Sequence, residues 1–169
     1  MLEKNIFSGQ GLKMVISQIG VIGAGQMGNG IAHVMALAGY DVTIADVSEE
    51  HLDSATRKIA RNLDRQITAK KISKSQGAKA LEKIRTTVDL GKVAKTDLII
   101  EAVNEDEELK RKIFHSLIPH LDQSTILASN TSSISITRLA SCTDRPEKFL
   151  GFHFMNPVPI TVSYTHLRA

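Results

Sequence analysis

One stretch constrains the fold of this chain more than any other: residues 15–46, VISQIGVIGAGQMGNGIAHVMALAGYDVTIAD. It opens with an apolar run, Ile16 to Ile22, of a length that suits a buried strand. Gly23, Gly25 and Gly28 follow in G-x-G-x-x-G spacing. Apolar residues then recur at Met27, Ile31, Val34, Met35 and Ala38, the spacing of one helix face. Gly39 ends that helix. A second apolar run, Val42 to Ala45, leads into Asp46.

Each glycine has a physical task in such a turn. Gly23 permits a tight exit from the strand, Gly25 lets a pyrophosphate approach the backbone, and Gly28 lets helix and sheet pack closely. The helix N-terminus offers free N–H groups and a positive dipole end to phosphate. Asp46, eighteen residues past Gly28, can accept hydrogen bonds from an adenosine ribose. By itself the glycine pattern is also compatible with a turn that binds nothing, and Asp46 with a helix or turn cap. The order strand, turn, helix, strand, acid favours a dinucleotide. The carboxylate favours NAD over NADP, because it repels a 2′-phosphate.

At 169 residues the chain suits one domain with a real core. A net charge of +3 is too mild to indicate nucleic acid. The single cysteine, Cys142, excludes an internal disulfide and a cysteine-rich metal site, so no metal is expected. It suits a reducing compartment, and cytoplasm is the expectation. No apolar run has membrane-spanning length. Residues 1–14 read as a disordered extension lacking the pattern of a signal or transit peptide, with Met14 an alternative start.

After Asp46, Ser48 can cap a helix with the apolar face Leu52, Ala55, Ile59, Leu63 and Ile67. Arg57, Lys58, Arg61, Arg65, Lys70, Lys71 and Lys74 make its other side basic. That face is either simply solvated or a seat for a polyanion. Ser73 and Gln76 form a capping-box pattern for a short helix through Ile84. Arg85 to Val88 is a weak strand and Asp97 to Val103 a strong, central one. Asn104 and Asp106 can cap a helix with the stripe Leu109, Ile113, Leu117 and Leu121. Thr125 to Ala128 is a strand, Ile134 to Ala140 a short helix and Phe149 to Phe154 a last strand. This alternation predicts an α/β fold, a Rossmann-type doubly wound parallel sheet over residues 15–160. Ligands of such sheets sit beyond the carboxyl ends of the strands. The glycine loop, Asp46, Glu101, the hydroxyl cluster Ser129 to Ser133, and His153 all gather there.

His153 lies between aromatic residues, a setting compatible with a satisfied core histidine. Its place at the ligand end argues for a proton acceptor, since an alcohol losing hydride must also lose a proton. Ser132 can hydrogen-bond the same oxygen. The serine cluster is equally compatible with a turn and helix cap.

GVIGAGQMGNGIA, DLIIEAV, SNTSSISI and GFHFMNPVP, in this order, resemble the NAD-binding domain of the 3-hydroxyacyl-CoA dehydrogenase family, and within it the bacterial 3-hydroxybutyryl-CoA dehydrogenases. The resemblance covers residues 15–160. It implies that Gly23, Gly25, Gly28 and Asp46 hold the cofactor and that Glu101 is the acid near the nicotinamide ribose. It implies that Ser132 is the active-site serine and His153 the catalytic histidine. The basic helix and its following lysines resemble the family's CoA-binding pair of helices, with Lys70 and Lys71 as candidates. The implied reaction is oxidation of (S)-3-hydroxyacyl-CoA to 3-ketoacyl-CoA in fatty-acid or butanoate metabolism.

The resemblance stops after Pro159. The family continues with a strand whose glutamate orients the histidine, and Thr165 stands where that glutamate is expected. The family's C-terminal helical domain, which carries the homodimer contacts, is absent from the sequence. Residues 161–169 read as a non-family tail of artefactual origin, and a fragment of this kind is expected to be inactive. Two alternatives stay open: a dehydrogenase of a free hydroxy or sugar acid, and a non-catalytic dinucleotide-binding module.

Overall fold

A computed structural model describes residues 15–159 and the backbone of a strand at Tyr164–His166. The expected extension over 1–14, and the tail apart from that strand, lie outside the described residues. The first half of the chain runs β1 (Gln18–Ile22), α1 (Gln26–Leu37), β2 (Asp41–Ala45), α2 (Glu49–Thr68), α3 (Lys74–Glu82) and β3 (Ile84–Thr87). The second runs α4 (Leu90–Val93), β4 (Leu98–Glu101), α5 (Glu107–Leu117), β5 (Ile126–Ser129), α6 (Ile136–Ala140), β6 (Phe149–His153) and β7 (Tyr164–His166). The sheet order is β3-β2-β1-β4-β5-β6-β7. The first six strands in this order are parallel, and β7 is antiparallel to β6. The direction of winding reverses between β1 and β4, which is the switch point where open α/β sheets bind ligands.

Strand alternation builds a core on each face of the sheet. Leu98 and Ile100 join Ile19, Val21, Val42 and Ile44 under α1, α2 and α3. Ile99 and Leu127 face the other way, with Phe114, Leu117 and Leu139 from α5 and α6. Phe114 meets Phe149 edge to face at a ring distance of 4.9 Å. Burial on both faces is why DLIIEAV is apolar without interruption.

Local boundaries differ from the sequence reading for identifiable reasons. β1 starts at Gln18, because the Asp97 carboxylate takes the N–H groups of Ser17 and Gln18 and ends the ladder there. The capping box forms at Ser73 and Gln76, but α3 stops at Glu82. Ile84 pairs with Val42 as the first residue of β3. The short α4, capped by Asp89, had no clear periodicity in the sequence. The inward stripe of α5 is turned from the expected one: Lys110, Phe114 and Leu117 are buried, while Leu109 is 38% exposed. A lysine takes the place expected of an apolar residue because a buried carboxylate lies in its reach.

The glycine turn carries the tightest contact of the domain. Gly23 has φ +101° and donates to the Ala45 carbonyl at 2.8 Å. A Cβ on Gly28 would overlap the Gly23 carbonyl oxygen, whereas a Cβ on Gly25 would meet nothing within 4 Å. Gly28→Ala is therefore expected to push α1 off the turn and weaken NADH binding at least about tenfold, the effect of an ångström-scale misplacement. Fluorescence titration of NADH measures it, and Gly25→Ala separates a blocked surface from a displaced helix by leaving stability unchanged.

Candidate active site

Five of the six α-helices among the described residues are capped by a side chain: Ser48, Ser73, Asp89, Asp106 and Ser135 serve α2 to α6. Helix α1 is the exception. Gly25 at its N-cap makes no side-chain bond, and its first turn has no acid. Its leading N–H groups thus face the open side of Gly25, where a phosphate would complete the helix. The residues present fit a dinucleotide.

Asp46 stands beside that turn. Its carboxylate accepts from the Ala24 N–H at 2.8 Å, from the Ser48 N–H at 3.2 Å, and pairs with His51 Nδ1 at 3.0 Å. Burial by itself would raise its pKa, but these hydrogen bonds outweigh it and hold the group below the usual range. The carboxylate is therefore ionised at neutral pH.

An open cleft of about 410 Å³ lies at the ends of β4, β5 and β6, next to Met27 of α1. Ser132 and His153, expected from the sequence, both line it, together with Glu105, Asn130 and Asn156. Asn130 Oδ1 accepts the Phe154 N–H at 2.7 Å and so fixes the chain just past His153. In the backbone register, Tyr164 stands opposite His153 and Thr165 opposite Phe152.

Glu101 is a correction. It is fully buried, and its carboxylate is already used by Lys110 Nζ at 2.7 Å, the Val103 N–H at 2.7 Å and the Ser129 hydroxyl at 2.5 Å. It cannot also reach a ribose. The acid that opens into the cleft is Glu105, which the sequence reading passed over. Its Oε1 accepts from the hydroxyls of Thr131 and Ser133 and from the N–H groups of Ser132 and Ser133. Its other oxygen lies 3.5 Å from Lys110. Desolvation raises its pKa, but the hydroxyl and amide donors of the 131–133 turn dominate and bring it to about 2. Its position four residues past Glu101, in the loop between strand and helix, was the available signal.

A second hollow, about 470 Å³, opens between α1 and α2. Lys58, Arg61, Asn62 and Arg65 line it from α2, with Gln26 and Asn29 from α1. Gln26 Nε2 donates to Asn156 Oδ1 at 3.1 Å, which links this basic hollow to the cleft. Lys70 and Lys71 lie beyond its lining, at the C-terminal end of α2. Lys70 has φ +55° and occupies the left-handed position of a Schellman turn, with Lys70 N–H to Ile67 O and Lys71 N–H to Gln66 O both at 2.9 Å. Glycine is the usual occupant. The Cys142 thiol donates to the Leu139 carbonyl just past α6, and burial raises its pKa.

The family described as "3-hydroxyacyl-CoA dehydrogenase, NAD binding domain" matches residues 18–162. The chain belongs to the 3-hydroxyacyl-CoA dehydrogenase family. A 3-hydroxybutyryl-CoA dehydrogenase of Bradyrhizobium diazoefficiens is 56% identical over 146 residues, 86% of this chain and 50% of that protein. The crystal structure of Mycobacterium tuberculosis FadB2 is 42% identical with a TM-score of 0.82, covering 86% of this chain and 51% of that one. That of (S)-3-hydroxybutyryl-CoA dehydrogenase PaaH1 from Ralstonia eutropha is 40% identical, with a TM-score of 0.84 over 86% of this chain and 52% of that one. The chain thus spans about half the length of the curated relatives it matches, and the described residues carry one Rossmann-type α/β domain for a nicotinamide dinucleotide. None of the described helices is long and apolar enough to cross a membrane.

Lys110→Met should destabilise the domain by about 3–5 kcal/mol, because it leaves Glu101 buried and unpaired. Glu101→Gln with Lys110→Met should recover most of that, as read by urea unfolding. Glu105 also sets an acid limit. Its folded pKa is depressed from 4.5 to about 2, so its stabilisation is complete above the ordinary value and lost as pH falls through that window. Melting temperatures across it should fall less in Glu105→Gln than in the unmutated chain.

Proposed function

We propose that the full-length protein is an NAD-dependent dehydrogenase of (S)-3-hydroxyacyl-CoA thioesters, and that this chain supplies its cofactor domain and part of its active site. One observation carries the reading: the cleft with Ser132 and His153 abuts the uncapped start of α1 and connects through Gln26 and Asn156 to the basic hollow. A long substrate with a reactive acyl end and an anionic far end suits that path.

Gly23, Gly25 and Gly28 would hold the pyrophosphate and Asp46 the adenosine ribose. A nicotinamide held there would supply the acceptor for the hydride from C3 of the substrate. His153 takes the proton of the 3-hydroxyl, and Ser132 donates to the same oxygen as it becomes a ketone. Glu105 holds the Ser132 turn through its backbone and hydroxyl bonds. NAD is preferred over NADP, since Asp46 is ionised and residues 45–50 contain no arginine. Lys58, Arg61 and Arg65 in the hollow, and Lys70 and Lys71 beyond it, attract the CoA phosphates. The single cysteine suits a cytoplasmic enzyme, and the family resemblance places homodimer contacts in a helical domain beyond this chain.

The deciding assay is acetoacetyl-CoA reduction with NADH by the full-length protein. Activity on the thioester with none on free acetoacetate is expected, and the opposite result overturns the CoA reading. His153→Ala should lower kcat by at least about 10²-fold; unchanged turnover would remove His153 from the proton transfer. Residues 1–169 alone should run far below a typical enzyme's roughly 10 s⁻¹, since proximity and water exclusion need the helical domain.

Lys70 offers a separate test. Lys70→Gly should stabilise the fold by about 1 kcal/mol by relieving the left-handed lysine. In the full-length protein it should also raise the KM for CoA thioesters, more at low than at high salt. Greater stability with an unchanged KM would leave Lys70 a plain helix end.

A further inference from the structure

The reading of Asp46 as the ribose acceptor leaves its neighbour His51 unused. Residues 45–50, around Asp46, hold no arginine to receive a 2′-phosphate, and His51 is the next residue. The fold closes the gap. Ser48 caps α2 and brings the third residue of the helix back over the strand end. His51 Nδ1 then lies 3.0 Å from Asp46 Oδ1, while its side chain stays 65% exposed against 12% for Asp46. One ring nitrogen is engaged with Asp46, and the rest of the ring is exposed.

We propose that His51 is a specificity-determining residue for the cofactor: as a neutral ring it leaves Asp46 to repel a 2′-phosphate, and as a cation it offers that phosphate a counter-charge. The proposal rests on the reading that Asp46 receives the adenosine ribose. The charge balance supports it. A 2′-phosphate brings about −1.5 to −2 charges near neutral pH. With a neutral ring it meets one uncompensated carboxylate. With an imidazolium it meets a balanced pair and a charge-assisted N–H donor. Histidine is the side chain whose charge changes within the range of ordinary binding assays.

The surrounding charges are few. Asp46 approaches from the end of β2, and the glycine turn contributes the Ala24 N–H and no charged side chain. Glu49 and Glu50 lie on the same first turn of α2. On the β3 side, where the Asp46 N–H meets the Thr87 carbonyl, the ionisable residues are Arg85 and Asp89. The Asp89 carboxylate is occupied by the Gly91 N–H at 2.8 Å. Among the described residues, His51 is the side chain paired with Asp46.

The test is titration of the 169-residue chain with NADH and NADPH, followed by nicotinamide fluorescence, at about pH 8 and about pH 5.5, spanning the histidine range. The readout is the ratio of the two dissociation constants. The 2′-phosphate itself titrates with a pKa near 6, so the measure is the difference between the unmutated chain and His51→Asn. Asn keeps a donor near the Nδ1 position and lacks the charge. On acidification the ratio should move towards NADPH about three- to fivefold further in the unmutated chain than in the variant, the size of an exposed charge pair. His51→Arg should show the acid-like ratio at both pH values. Equal pH dependence in the unmutated chain and His51→Asn overturns the proposal. So does a His51→Asn change that weakens both cofactors alike, since that leaves His51 only a structural support for Asp46. Absence of saturable NADH binding at either pH is the distinct failure: it removes the ribose reading of Asp46, and the proposal falls with it.

Discussion

The buried pair of Glu101 and Lys110 is the interaction on which the site depends. Both side chains are withdrawn from solvent at the switch point of the sheet, where β1 and β4 run side by side. Lys110 Nζ reaches Glu101 at 2.7 Å and the Val103 carbonyl at 3.3 Å. Glu101 in turn holds the Ser129 hydroxyl at the end of β5. One ion pair thus joins α5 to two strand ends at the level where the ligand cleft opens. Burying two charges costs several kcal/mol per ion unless they pair and hydrogen-bond well. Here the carboxylate has three donors, and the ammonium has acceptors on the strand-to-helix loop.

That arrangement explains why two glutamates four residues apart behave differently. Glu101 ends a strand and points into the protein, so it serves the lysine. Glu105 lies in the following loop and receives the donors of the Thr131 to Ser133 turn. The turn carries Ser132, so the loop after β4 and the loop after β5 are fastened together at the cleft. The Asn130 side chain makes the matching tie from β5 to the chain after His153. Glu105 and Asn130, two of the side chains lining the cleft, are thus each tied to a neighbouring loop or strand end.

The phosphate side of the domain follows a different logic. Helices α2 to α6 close their first turn with their own side chains, and α1 leaves it open. A capping serine or aspartate at Gly25 would satisfy the helix and repel or block a phosphate. Gly28 brings the helix against the turn, and Gly25 leaves the surface bare. Gln26, on the first turn of α1, bonds Asn156 across the cleft, so the cofactor side and the His153 side meet at one hydrogen bond.

Much of this was legible in the sequence. The glycine spacing, the acid after the second strand and the alternation of apolar runs determine a doubly wound sheet, because each is a local consequence of backbone geometry or of burial on both faces. Asp46, Ser132 and His153 could be placed at strand ends from the order of the elements alone. What the tertiary structure decided was which polar side chain turns inward. Periodicity assigned Leu109 to the core of α5, and the family resemblance assigned Glu101 to the nicotinamide ribose. The fold buries Lys110 instead, because the Glu101 carboxylate at the end of β4 lies within reach, and a buried charge goes where its partner is. Glu105, His51 and the hollow of Lys58, Arg61 and Arg65 belong to the same class. Their roles depend on contacts between segments far apart in the chain or on how a helix turn folds back over a strand end. A one-dimensional pattern holds the spacing within a segment, and not the distance between side chains that packing brings together.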